Sequence, residues 1–188
     1  MQIQYTTANS DDDLKDILSL QAENLPKTLS DNEIKSQGFV TLEHSFGLIK
    51  EMNETEPHII AKSDNNVIGY ILSMTKKAKL VFPILYPMFD VFDKTVYNGK
   101  TVSEYNYIIV GQVCVSKNFR GLGVFDHCYE AYSNLHKNRY DFAITEIAQT
   151  NLRSINAHKR IGFSELTRYT DSNKNTWIIV IWDWTNSR

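Results

Sequence analysis

The sequence predicts a mixed α/β domain rather than an alternating, doubly wound one. Two observations carry this. Strand-like residues 58–62 and 67–73 flank the turn Asp64-Asn65-Asn66 and must run antiparallel. Beyond residue 107 the order becomes strand, helix, strand, helix, and then two closing strands.

The elements follow in order. Residues 1–6 alternate like an edge strand. Ser10 or Asp11 caps a helix through about residue 24, with Leu14, Ile17, Leu18 and Gln21 on one stripe, and Pro26 ends it. Residues 31–37 form a short helix stopped by Gly38, and residues 43–52 form another that carries Phe46, Leu48 and Ile49. The hairpin at 58–73 comes next.

Residues 79–106 are dense in apolar side chains and interrupted by Pro83 and Pro87. A short helix after Pro87 and a polar loop at Asn98-Gly99 are expected there. The apolar density has three readings: a lid packed on the core, a pocket lining, or an oligomer interface. Residues 107–115 make a β-branched strand, 123–137 a helix, 142–147 a strand and 152–161 a helix capped by Gly162. Residues 163–168 and 177–184 close the chain as a hairpin-like pair.

The chain has 188 residues, 42% hydrophobic and 22% charged, which suits one globular domain over 1–188. A net charge of −2 provides no basic field for nucleic acid. The start lacks a basic segment followed by an apolar core, and no apolar run reaches the roughly 18 residues of a membrane span. Cys114 and Cys128 form no CxxC pair and read as small core residues, so neither a disulfide framework nor a metal site is expected. A cytoplasmic protein without membrane or nucleic-acid partners is the natural expectation, and oligomeric state, a homodimer included, stays open.

The most informative segment is Val113-Cys114-Val115-Ser116-Lys117-Asn118-Phe119-Arg120-Gly121-Leu122-Gly123-Val124-Phe125. A strand runs into a two-glycine loop that opens a helix. Glycines permit positive φ and close backbone approach, and the first amides of a helix lack internal partners. Together with the helix dipole they suit an anion such as a pyrophosphate. No Lys-Ser or Lys-Thr follows the glycines and the GxGxxG spacing fails, so neither a P-loop nor a dinucleotide fingerprint is present. On loop chemistry alone, anion binding and a plain tight turn both remain open.

Arg120-Gly121-Leu122-Gly123-Val124 resembles the R/Q-x-x-G-x-G/A motif of the GNAT acyltransferase superfamily. The run from Asn151 through Ile161-Gly162-Phe163, with His158 four residues before Gly162, resembles that superfamily's second signature. The two motifs cover about residues 107–170. The resemblance implies a GNAT fold, with a central mostly antiparallel sheet splayed between strands four and five and helices on both faces. It also implies acetyl-CoA as co-substrate. Backbone amides of Arg120, Gly121, Leu122, Gly123, Val124 and Phe125 would hold the pyrophosphate. Amides near Val113 and Val115 would bind the acyl carbonyl and the pantetheine amide, and Asn151 would fix the arm from the other side. Phe125 departs from the family's usual Gly or Ala, and a core aromatic on the helix is the favoured reading of it.

Acyl transfer to an amine needs a base, N–H donors for the oxyanion and a route for the leaving thiolate. The backbone N–H of Val113 is the expected oxyanion donor. Glu146, on the strand before Asn151, resembles the strand-five glutamate that acts as base in N-terminal acetyltransferases of ribosomal proteins. His158 stands where many relatives carry tyrosine, and a histidine titrating near about 6.5 would be partly cationic at neutral pH and able to protonate the sulfur. Glu104, Tyr107 and Gln112 are candidate acceptor contacts, and Tyr86, Phe89 and Phe92 would suit an apolar acceptor if they line a cleft. Cys114 lacks the partnered His and Asp that a covalent mechanism would need. The expected acceptor is a small-molecule amine or a protein N-terminus. The alternative is a member of the fold that holds acyl-CoA without turnover, and a phosphate-binding module unrelated to CoA is a more distant one.

Overall fold

The computed structural model describes residues 2–185 apart from 31, 35–37 and 82. Met1 of the expected first strand, Phe82, and Asp31 with residues 35–37 of the expected short helix thus lie outside the described residues. The chain divides into two compact units: Met1–Met74 with Val110–Leu135, and Thr75–Ile109 with His136–Arg188.

In the first unit, β1 (Gln4–Thr7) runs antiparallel to β2 (Ile59–Ser63), which runs antiparallel to β3 (Asn66–Met74). The β2–β3 turn places Asp64 at φ 49° and Asn65 at φ 67°, a region Asn and Asp enter more readily than most residues. Helix α1 (Asp11–Ala22) begins where Ser10 Oγ accepts the Asp13 amide at 3.1 Å. Asp13 in turn accepts the Asn9 amide at 3.1 Å and pairs with Lys62 on β2 at 2.6 Å. Helix α2 (Phe46–Thr55) starts after Ser45, whose Oγ accepts the Leu48 amide, so Glu43 and His44 lie outside it rather than within the expected 43–52 helix. His58 is fully buried between these elements. Its Nε2 donates to the Ile49 carbonyl at 3.1 Å and its Nδ1 accepts the Ser73 amide at 3.1 Å. Burial holds it at about 4, neutral under ordinary conditions.

In the second unit, α3 (Ala78–Val81) and α4 (Tyr86–Lys94) precede a two-residue hairpin, β4 (Val96–Tyr97) and β5 (Lys100–Thr101). Asn98 and Gly99, at φ 47° and 84°, form its turn. The helix expected after Pro87 begins one residue before it, because Pro is tolerated in a first turn. Strand β6 (Tyr107–Val115) opens in this unit and pairs parallel with β7 (Phe142–Ala148), from Tyr107↔Phe142 to Ile109↔Ile144. After β7 come α6 (Leu152–Ile161), β8 (Ser164–Thr170) and β9 (Thr176–Asp183), and β9 is antiparallel to both β7 and β8. Helix α5 (Val124–His136) joins β6 to β7. The strands order as β1-β2-β3-β6-β7-β9-β8 in one seven-stranded, mostly antiparallel sheet.

The apolar density of 79–106 divides in two. Met88, Phe89 and Phe92 are buried, with Phe92 edge-on to Tyr107 at 5.7 Å, whereas Leu80 and Ile84 are 85% and 69% exposed. Phe89 and Phe92 therefore belong to the core, which agrees with the reading of this segment as packed on the core; of the three aromatics only Tyr86 is exposed.

Candidate active site

The first unit carries the glycine loop. After β6, a 3-10 turn (Lys117–Phe119) leads through Arg120 to Gly121 and Gly123, which adopt φ 80° and 79°. Side chains rarely adopt that geometry. Among the described residues, the amides of Gly121, Leu122, Gly123 and Val124 donate to no protein acceptor. They sit at the start of the 13-residue α5, where the dipole favours negative charge. A diphosphate suits this donor set. The close seating of the loop is built by Gly69 on β3: a Cβ there would meet Val124 Cγ1 at 3.1 Å and the Cys114 carbonyl at 3.3 Å.

The Arg120 side chain supports the loop from beneath. Its Nε donates to the Val115 carbonyl at 3.0 Å, and Nη2 donates to Asn24 Oδ1 at 2.6 Å. Phe125 packs on the fully buried Tyr129 one helical turn along, with centroids 4.9 Å apart. Its ring is only half-buried, so it is an aromatic of the helix at the margin of the core rather than the core aromatic the sequence favoured. Val113 and Val115 are half-buried on β6. Gln112, the residue before Val113, is buried and accepts from both Gln21 Nε2 and Tyr70 OH at 2.7 Å. Burial pushes the Cys114 thiol up to about 12, which removes it as a nucleophile.

The second unit carries the titratable group. Glu146 lies on β7, where its Oε2 accepts the Tyr169 hydroxyl of β8 at 2.5 Å. Burial pushes the carboxyl up to about 7; the Tyr169 bond opposes this, and the negative Asp171 adds to it. Burial and the adjacent carboxylate hold the Tyr169 phenol well above its ordinary range, so it donates and does not ionise.

Asn151 caps α6, its Oδ1 accepting the Ser154 amide at 3.2 Å. His158 is buried one turn from Ser154 and edge-on to Phe163, centroids 5.1 Å apart. Its Nδ1 lies 2.8 Å from the Ser154 carbonyl, which can only accept, so Nδ1 carries the proton. Burial lowers its pKa to about 4. The ring is neutral at pH 7 and Nε2 is an acceptor. The sequence expectation of a partly cationic His158 that protonates the sulfur does not fit this environment.

The acceptor candidates are differently placed. The Glu104 carboxylate accepts the Thr101 amide and hydroxyl at 2.7 and 2.8 Å, closing a capping box. Tyr107 is buried under Lys76, whose ammonium lies 4.7 Å from the ring centre, and it stacks on Phe142.

A profile of the acetyltransferase (GNAT) family matches residues 15–163, spanning the glycine loop, Glu146, Asn151 and His158. The chain belongs to the GNAT acetyltransferase family. No curated protein matches it. Solved structures share the GNAT fold at low identity. A GNAT acetyltransferase from Streptococcus agalactiae superposes with a TM-score of 0.67 at 13% identity, covering 96% of this chain and 95% of that one. The NatC complex bound to Gag peptide and CoA gives 0.65 at 17%, covering 97% and 99%. The ribosomal-protein-S18-alanine N-acetyltransferase of Escherichia coli gives 0.61 at 10%, covering 98% and 95%. With the small β4–β5 hairpin set aside, the GNAT strands four and five are β6 and β7.

Sequence reasoning missed Tyr169, Asp171, Gln21 and His44. Tyr169 reaches Glu146 only because β8 and β7 both flank β9, in a register no motif encodes. Gln21 was visible as a polar residue on an apolar stripe, a sign of a buried partner.

Proposed function

We propose that this GNAT protein transfers the acetyl group of acetyl-CoA to a primary amine by direct attack in a ternary complex. Glu146 carries the reading: a carboxyl that titrates at about 7 takes a proton efficiently at neutral pH. Acetyl-CoA supplies an activated thioester. The amides of Gly121, Leu122, Gly123 and Val124 bind its diphosphate, joined by that of Phe125; the Arg120 amide, expected among them, donates instead to the Lys117 carbonyl at 3.4 Å and closes the 3-10 turn. Asn151 orders the start of α6 beside the pantetheine arm, and the Val115 amide holds that arm.

The amine nitrogen bonds to the thioester carbon, and its proton passes to Glu146, directly or through water. The Val113 N–H donates to the oxyanion. The carbon–sulfur bond then breaks. The sulfur departs as thiolate and recovers its proton from water. His158, neutral and bonded to Ser154, positions α6 and Phe163. Glu104, Tyr107 and Gln112 shape the acceptor side through the elements they hold together.

Thiol release from acetyl-CoA against a panel of amines tests this, with binding of CoA followed by calorimetry. Amine-dependent release that collapses in Glu146→Gln, with CoA affinity unchanged, is the expected result. Tight CoA binding with no transfer to any amine would identify a non-catalytic acyl-CoA binder instead.

A further inference from the structure

The first unit contains a side-chain network whose proton positions are all determined. The Leu42 carbonyl can only accept, so Gln112 Nε2, 2.9 Å away, is the donor end of that amide. Gln112 Oε1 is then the acceptor, receiving Gln21 Nε2 and Tyr70 OH. Independently, the His44 backbone amide donates to Gln21 Oε1 at 2.7 Å, which orients Gln21 the same way. One Gln21 N–H goes to Gln112. The other points at His44 Nδ1, 2.8 Å away. His44 Nδ1 is therefore an acceptor, and the proton of the neutral ring sits on Nε2.

That Nε2–H has no partner among the described residues, and it belongs to a ring that is only half buried. Burial also keeps His44 neutral, with its pKa lowered to about 4. Two hydrogen bonds link the ring to Gln112, the residue before Val113 on β6. A rigid, neutral donor is thus held beside the strand assigned to the acyl group.

We propose that His44 is a specificity-determining residue that donates its Nε2–H to an oxygen on the carbon next to the attacking amine, so that the preferred acceptors are α-amino acyl compounds rather than simple alkyl amines. This rests on the acetyl-transfer reading above. A neutral donor recognises a carbonyl or a carboxylate oxygen without demanding charge. It also leaves an acceptor that lacks the oxygen with an unmet donor at its side.

The test compares L-alaninamide, L-alanine and isopropylamine in the full chain, using His44→Asn, which keeps an acceptor toward Gln21 but loses the distal donor, and His44→Gln, which restores a distal donor. In the parent chain, kcat/KM for the better of the two oxygen-bearing acceptors should exceed that for isopropylamine by about tenfold or more. His44→Asn should erase that preference while leaving isopropylamine within about twofold, and His44→Gln should recover most of it. Which of alaninamide and alanine leads tells a peptide-like acceptor from a free amino acid. Equal losses on all three acceptors, or none, would overturn the proposal. Nitrogen-resolved NMR of the CoA-mixed protein supplies a readout independent of turnover: His44 Nε2–H should shift with alaninamide or alanine and not with isopropylamine. A shift with neither overturns the proposal even if transfer is seen. A shift without transfer to any amine retains the recognition role and removes the catalytic reading instead.

Discussion

The Gln21–Gln112–His44 network of the first unit and the Glu146–Tyr169 pair of the second both bury polar side chains, with opposite outcomes. In the network each amide and ring satisfies the next, no charge is needed, and nothing titrates near neutrality. In the pair, one hydroxyl faces a carboxylate whose desolvation it only partly offsets, and the carboxyl moves to about 7. Satisfied neutral polarity holds geometry; under-compensated charge makes a proton acceptor.

The largest break comes from removing the charge. Glu146→Gln should lower kcat by roughly 10²–10³, the usual worth of a general base, with little change in acetyl-CoA affinity. Its stability effect has the reverse sign. Unfolded Glu146 ionises from about 4.5, while the folded group holds its proton up to about 7. Stability from this residue therefore falls as pH rises through that window and is level above it. Chemical denaturation across pH 4–8 should show that falling slope in the difference between the parent and Glu146→Gln, beneath the rise that neutral His44, His58 and His158 give to both proteins.

Breaking the neutral network should instead cost stability at every pH. Gln112→Leu strands the Leu42 carbonyl, the Tyr70 hydroxyl and a Gln21 N–H, for about 2–4 kcal/mol. Melting temperature should drop by roughly 5–15 °C, without a new pH dependence.

Smaller effects sharpen the contrast. Gly123→Ala forces a side chain to positive φ and sets its Cβ 3.3 Å from the His127 ring, whereas Gly121→Ala meets open space. Each should cost about 1 kcal/mol in stability, and calorimetry should show the larger loss of CoA affinity for Gly123→Ala. Below about 7, kcat/KM for an acceptor of fixed protonation should rise tenfold per pH unit and then level. Tyr169→Phe removes the bond that favours the charged carboxylate and moves that limb to higher pH, and Asp171→Asn moves it lower. The smallest change is expected from His158→Phe: a neutral ring whose proton already serves Ser154 should leave kcat within about threefold if it acts by position.

Much of this was written in local sequence. Ser10 acts through its own side chain, and Asn98-Gly99, Gly121, Gly123 and Gly162 through the backbone at their own positions, so turns, caps and the glycine loop could be read directly. Strand β6 and helix α6 carry patterns strong enough to give their limits to the residue. The 79–106 segment resisted because dense apolar content has no period when some of it, Leu80 and Ile84, stays exposed.

By itself the amino-acid sequence determined the order of elements, the glycine loop and the acidic residue on β7, since each depends on neighbours within a few positions. Only the tertiary structure decided proton states. Whether His158 is cationic, whether Glu146 is poised near neutrality and which nitrogen of His44 carries hydrogen all depend on burial and on partners such as Tyr169 and Gln21. Those partners lie about twenty residues away along the chain, and packing alone brings them into hydrogen-bonding distance.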